Sequence, residues 1–306
     1  MIDLAKATCL LNRYNGSEQK RTFSFEGKIY MVKFPDRIRE KKNSLTYMNN
    51  QFAEHIGSGI FESAGFAVQK TELVVFPAGE EKKIVVVCED FTKRGERLIE
   101  ASKVALAYGG SKDFRLTISH CLNLIAKAVQ DDPEKAQDEF LDRFVIDALI
   151  ANPDRHLGNW GFIEDEEHNV RLAPVYDCGS SLAAKLDPAE METLLSKEGA
   201  FKSKEYNIAT AFFKEDDSGR LLYHEAFAEP DERLMRAIKR TVPKIDLEKI
   251  RTIIDNTAHL SDVQKTYLFS SVKLRYDLIH ARALKNIQKK EHSSLKVRKK
   301  PSLETD

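Results

Sequence analysis

The sequence predicts an α+β chain of two lobes, a small β-rich N-terminal lobe followed by a larger, mainly helical C-terminal lobe. Over roughly the first ninety of its 306 residues, apolar side chains recur with strand periodicity around one helical stretch. After Phe91 the spacing becomes helical and is interrupted by one short hairpin. Hydrophobic residues make up 42% of the chain, enough for each lobe to bury a core.

In chain order, "KRTFSF" and "KIYMVKF" read as two strands joined at "EGK", where Gly27 supplies the backbone freedom of a tight hairpin. "SLTYMNNQFAEHIGSGIFESAG" carries Leu45, Met48, Phe52, Ile56 and Ile60 at helical spacing, with Ser44 as N-cap and Gly65 as stop. "TELVVF" and "KKIVVVCEDF" are strands around "PAGEE", and residues 89–92 form a connection between the lobes. "LTISHCLNLIAKAV" and "KAQDEFLDRFVIDALIAN" are amphipathic helices, followed by the hairpin "WGFIEDEEHNVRLAPVYD". Helical patterns are expected from about Pro188 to Lys289, the last with Phe269, Val272, Tyr276, Ile279 and Ala283 on one face. The expected division is a small lobe over 8–92, a helical lobe over 93–289 and a disordered basic tail over 290–306.

Composition narrows the function. Lys plus Arg and Asp plus Glu both number 48, so no net field draws the chain to nucleic acid or to a membrane surface. Cys9, Cys88, Cys121 and Cys178 are scattered without a C-x-x-C pair, which argues against a disulfide framework or a zinc site and fits a reducing compartment. No apolar run reaches the length of a membrane span, and the start "MIDLAKATCLL" lacks the basic region of a signal peptide.

The candidate chemistry concentrates in "ANPDRHLGNWGFIEDEEHNVRLAPVYDCGSSL". Asp154 and Asn159 stand five residues apart in a loop after a strong helix, the D-x-x-x-x-N spacing of a kinase catalytic loop. An aspartate there can accept the proton of an attacking hydroxyl while the asparagine faces a metal on nucleotide phosphates. Past the hairpin, Asp177-Cys178-Gly179 has the form of D-F-G with cysteine in the middle, so Asp177 would ligate Mg²⁺ and Gly179 would free the backbone to turn. Upstream, Lys33 ends an apolar strand where a cation can hold α- and β-phosphates, and Glu54 on the next helix is placed to pair with it. Gly16 and Ser17 in "YNGSEQK" would let backbone N–H groups approach phosphate.

Each of these has an ordinary reading. Asp154 and Asn159 could form a solvated turn, Lys33 an exposed strand position, Glu54 a solvated helix face, and Gly16-Ser17 a plain turn. His156 reads as a scaffold of the loop rather than an acid or base, and Cys178 as a small buried apolar residue. The order argues for function. Glycine loop, strand lysine, helix glutamate, hinge, catalytic loop and D-x-G follow one another as a two-lobed, protein-kinase-like fold requires.

With "NGSEQK", "YMVKFP", "NPDRHLGNW" and "LAPVYDCGSSL" in place, the chain resembles the HipA-like serine/threonine kinases of bacterial toxin–antitoxin systems over roughly Thr8 to Lys289. The resemblance implies that Asp154 is the catalytic aspartate of an N-x-D-x-H-x-x-N loop and that Asn159 and Asp177 hold Mg²⁺. It also implies that Lys33 carries the strand-lysine role and that Ser17 is a self-phosphorylated serine whose modification silences the enzyme. ATP is expected between the lobes, with adenine against Cys88 to Phe91. Gly16, Ser17, Lys33, Glu54, Glu89, Phe91, His156 and Asn159 form the nucleotide-binding set. The chain begins at the kinase lobe, as in the short HipT- and CtkA-type members, which lack an extra N-terminal subdomain. Expected partners are a protein substrate, a small protein equivalent to that subdomain, and a helix-turn-helix antitoxin, in a bacterial cytoplasm. Direct nucleic-acid contact is not expected.

Two other readings compete. "DRHLGN" also looks like the D-R-H-x-x-N loop of phosphoinositide kinases, which act on lipid headgroups; the neutral chain, basic only at "KKEHSSLKVRKK", speaks against a membrane-facing enzyme. A pseudokinase serving as partner of a DNA-binding antitoxin would not need the intact Lys33, Asp154, Asn159 and Asp177.

Overall fold

The computed structural model describes residues 2, 4, 6–11, 20–35, 48–78, 81–109 and 115–298. The expected phosphate-loop residues Gly16 and Ser17, and the expected N-cap Ser44, lie outside them.

The small lobe comprises β1 (Thr8–Leu10), β2 (Lys20–Phe25), β3 (Lys28–Lys33), α1 (Asn50–Ser63), β4 (Thr71–Ala78) and β5 (Glu81–Glu89). The strands form one antiparallel sheet in the order β1-β2-β3-β5-β4. The β2–β3 turn has positive φ at both Glu26 (48°) and Gly27 (76°), the backbone that a two-residue turn needs to match strand twist. β3 is covered along its second half, so Val32 and Lys33 are both buried. Helix α1 starts at Asn50, with the Asn49 carbonyl accepting from the N–H groups of Phe52 and Ala53, and it ends before Gly65, which adopts φ 89°.

The second lobe contains β6 (Arg97–Glu100), α2 (Ala101–Ala107), α3 (Ile118–Ala128), α4 (Pro133–Ile150), β7 (Gly161–Glu164), β8 (Val170–Leu172), α5 (Pro188–Leu195) and α6 (Glu198–Tyr206). It continues with β9 (Ala209–Phe213), β10 (Arg220–Leu222), α7 (Tyr223–Ala228), α8 (Glu232–Thr241), a 3₁₀ turn (Val242–Lys244), α9 (Leu247–Asp255) and α10 (Asp262–Arg275). A π turn (Tyr276–Ala281) and α11 (Arg282–Arg298) complete it. Local chemistry explains where α3 and α4 begin. Thr117 and His120 close a reciprocal cap on α3, and Asp132 caps α4 with Pro133 in its first turn.

Three sequence expectations change. The hairpin after α4 has a third strand, since β6 pairs with β7. The run expected to be helical from Pro188 to Lys289 is broken by the β9–β10 hairpin, whose Phe212 is fully buried. The tail expected to be disordered from residue 290 is helical as far as Arg298, where α11 ends. No helix among the described residues is long and apolar enough to cross a membrane.

The feature that matters most for the site is where α1 lies. Phe52, Ile56, Ile60 and Phe61 share one core with Ile146, Leu149 and Ile150 of α4 and with Ile250 and Ile254 of α9. Each such side chain removed from water contributes about 1.5–3 kcal/mol. The helix that carries Glu54 is therefore anchored in the large lobe as firmly as in its own.

Candidate active site

The two lobes meet around one buried lysine. Lys33 sits at the end of β3 and is 3% exposed. Its ammonium lies 3.0 Å from Asp177 Oδ1 and 3.3 Å from Glu54 Oε2. Glu54, 1% exposed, uses its other oxygen, Oε1, to accept the Asp177 N–H at 3.1 Å. The glutamate expected to pair with the lysine does so, and it also fixes the backbone of the metal-type aspartate. Burial would raise the Asp177 carboxyl, but the cations of Lys33, Lys20 and Arg155 outweigh that and hold it below the usual carboxylate range.

The turn at Asp177 is not made by Gly179. Asp177 itself takes the left-handed conformation, at φ 60°. Gly179 sits close to Glu54, where a Cβ would stand 3.3 Å from Glu54 Oε2, a tight contact. A second glycine serves the same region from α1. A Cβ on Gly57 would come within 2.7 Å of the Cys178 Cβ. Gly57→Ala is therefore expected to force α1 and the Asp-Cys-Gly turn apart, costing about 1–3 kcal/mol less the helix-propensity gain of alanine. The checks are the melting temperature and the nucleotide-dependent activity, and activity should fall by more than the melting shift explains. Cys178 is fully buried as expected, and burial pushes its thiol up to about 12, so it is no nucleophile.

The catalytic-type loop begins where α4 stops. Ala151 adopts φ 56° and Pro153 cannot continue a helix, so the chain turns away at 151–153. The loop then folds onto a residue that sequence reasoning did not single out. Asp147, on the last turn of α4 and 2% exposed, receives Arg155 Nε on Oδ2 at 3.0 Å, and on Oδ1 both Arg155 Nη2 at 3.0 Å and Asn152 Nδ2 at 2.8 Å. Arg155 Nη1 also donates to the carbonyls of Asn159 at 2.8 Å and Tyr176 at 2.6 Å. One guanidinium thus ties the helix end, the far side of the loop and the segment that leads into Asp177. Burial alone would lower its pKa; the Asp147 carboxylate reverses that, and the group stays charged. The only hint in the sequence was an arginine inside D-R-H.

Asp154 lies on the open side of this loop, with its side chain 45% exposed. Its Oδ2 accepts from Ser180 Oγ at 3.1 Å, and its backbone carbonyl accepts from Asn159 Nδ2 at 2.8 Å. With its amide nitrogen so engaged, Asn159 has its carbonyl oxygen as the atom able to meet a cation. His156 behaves as a scaffold: its Nδ1 accepts the Gly158 N–H at 3.0 Å, while Nε2 stands 3.6 Å from Asp154 Oδ1. At the lobe connection the Glu89 carboxylate pairs with Lys28 at 2.8 Å, the Glu89 carbonyl accepts from Gln69 Nε2 at 3.1 Å, and Phe91 stacks on Tyr176 with centroids 5.8 Å apart. Among the expected residues that are described, Lys33, Glu54 and Asp177 meet in one cluster and Asp154, His156 and Asn159 in a second, which Arg155 and Ser180 join to the first.

The donor set suits a hard cation brought in with phosphates. Asn159 and Asp177 offer two oxygen ligands, and no group of three or more His, Cys, Asp or Glu residues among the described residues forms a metal site of its own. Mg²⁺ is held in just this way, by one or two carboxylate-type ligands plus substrate phosphate and water.

Comparison with known proteins agrees with this architecture. The family model described as HipA-like C-terminal domain matches residues 6–251. The serine/threonine-protein kinase CtkA of Helicobacter pylori strain J99 is 31% identical over 287 residues, covering 90% of this chain and 86% of that protein. The crystal structure of the proinflammatory kinase CtkA of Helicobacter pylori superposes with a TM-score of 0.82 at 28% identity, over 92% of this chain and 96% of that one. HipA of Shewanella oneidensis MR-1, solved with HipB and operator DNA, shares the fold at a TM-score of 0.52 and 16% identity, over 82% of this chain and 57% of that one. The chain belongs to the HipA-like C-terminal domain family and is a kinase of the serine/threonine-protein kinase type.

Proposed function

We propose that this kinase transfers the γ-phosphoryl group of ATP, with Mg²⁺, to serine or threonine hydroxyls of a protein, and that it is the toxin of a bacterial toxin–antitoxin pair acting in the cytoplasm. The observation that carries the catalytic reading is the buried contact of Lys33 with both Glu54 and Asp177 across the cleft. In this reading Lys33 binds the α- and β-phosphates, and Glu54 orients it. Asn159 and Asp177 hold the metal, which when bound neutralises charge on the transferring phosphoryl group. Asp154 takes the proton of the attacking hydroxyl, and residues 88–91 face the adenine. Little covalent work falls to the protein; its residues position the reactants and exclude water.

Two further parts of the reading rest on the family. Ser17 is the self-phosphorylation site; a phosphate there adds about −1.5 to −2 charges beside the triphosphate and weakens ATP binding. The partners are a small protein and a helix-turn-helix antitoxin, a reading supported by the related HipA that was solved with HipB and operator DNA.

The test is purified protein with γ-labelled ATP and Mg²⁺. Label is expected on protein, including a Ser17 peptide, and not on phosphoinositide vesicles; Asp177→Asn should weaken Mg·ATP binding. Robust lipid labelling would replace the reading with a lipid kinase. Full activity with Ser17 unmodified would remove the self-limiting step. A pull-down from the native host that returns the chain alone would count against the antitoxin.

A further inference from the structure

We propose that Ser180 is a positioning residue that holds the Asp154 carboxylate in its working orientation and registers it to Asp177. The inference rests on Asp154 being the proton acceptor.

With its side chain 45% exposed, Asp154 is held only partly by packing, so hydrogen bonds bear on its two side-chain torsions. Those bonds are few. Ser180 Oγ donates to Oδ2 at 3.1 Å. Asn159 Nδ2 approaches the same oxygen at only 3.4 Å, because its closer bond, at 2.8 Å, goes to the Asp154 backbone carbonyl. His156 Nε2 stands 3.6 Å from Oδ1, too far for a bond of any strength. Ser180 thus makes the shortest contact to the carboxylate. It occupies Oδ2 and leaves Oδ1 as the oxygen open to an incoming hydroxyl. A serine hydroxyl suits this task, since it orients the carboxylate without adding a charge that would compete with the metal or the substrate.

Ser180 can act as a reference point because the turn carrying it is fixed from several sides. Cys178 is fully buried, with its Sγ 3.6 Å from Arg155 Nη2 and its backbone carbonyl bonded by both the N–H (3.1 Å) and the hydroxyl (2.7 Å) of Ser181. Gly179 is seated against Glu54, and the Leu182 N–H reaches the Ile150 carbonyl at 2.9 Å. Asp177 lies three residues before Ser180 on this same turn. The proton acceptor and the metal-type aspartate, which come from separate segments, are thereby held in one frame. Catalysis by positioning loses up to about a hundredfold when a reacting group is displaced by an ångström, so a single hydroxyl can carry a measurable share.

The experiment compares wild type, Ser180→Ala, Ser180→Thr and Asp154→Asn in single-turnover transfer from γ-labelled ATP to the chain itself and to dephosphorylated casein. Ser180→Ala should slow transfer about tenfold at saturating ATP, with KM for ATP within about twofold and an unchanged melting temperature. Ser180→Thr, which keeps the hydroxyl, should recover most of the rate. A purely structural residue would instead lower the melting temperature or raise KM, and that outcome overturns the proposal. So does equal slowing by alanine and threonine, or phosphate recovered on a Ser180 peptide, which would make the hydroxyl an acceptor. Wild-type transfer by Ser180→Ala with an inactive Asp154→Asn sinks the positioning role alone; wild-type transfer by Asp154→Asn sinks the assignment of the base beneath it.

Discussion

Asp154→Asn is expected to reduce phosphoryl transfer by about 10²–10⁴-fold, the range that general-base catalysis contributes. Melting temperature and Mg·ATP binding should stay close to wild type. The bonds that shape this loop involve the Asp154 main chain, its N–H to Asn152 Oδ1 at 3.1 Å and its carbonyl to Asn159 Nδ2 at 2.8 Å, and the substitution leaves both intact. The lost function is proton acceptance, so the loss should appear in kcat and leave KM for ATP nearly unchanged. Initial rates with labelled ATP, together with a thermal melt, provide the check. Transfer near the wild-type rate would mean that another group takes the proton.

Arg155→Ala should have the largest effect on stability. Removing the arginine leaves the Asp147 carboxylate buried without its cation, and breaking one side of a buried ion pair costs about 3–5 kcal/mol. The carbonyls of Asn159 and Tyr176 lose their donor as well. A melting temperature roughly 10 °C lower follows for a chain of this size. Activity should vanish even where the protein is still folded, because the arginine is what joins the catalytic-type loop to the segment before Asp177. Replacing the pair together, Asp147→Leu with Arg155→Met, should restore part of the stability and none of the activity. Recovery of activity in that double variant would show that the loop holds its shape without the ion pair.

Much of this protein can be read from local chemistry. The Glu26-Gly27 turn, the strands around it, the capped helices α3 and α4, and the ordered series of Lys33, Asp154, Asn159 and Asp177 all express periodicity, turn preference or spacing within a short window. Glu54 differs from these, since nothing distinguishes it from other helix acids in the sequence. The fold settles its position by burying it beside Lys33.

Other features were decided only by tertiary structure. Asp147 and Arg155 lie eight residues apart, on a helix and in the loop after it, and neither carries a local signal that they pair. Strand β6 becomes a strand only because β7 is there to receive it. Gly57 looks like an indifferent helix glycine until Cys178, more than a hundred residues on, is brought against it. Ser180 is an ordinary turn serine until the loop holding Asp154 comes alongside. The physical reason is common to all four. A sequence window encodes what a residue prefers by itself, whereas the partner of a buried charge, a strand edge or a missing Cβ is chosen by the lowest free energy of the whole chain.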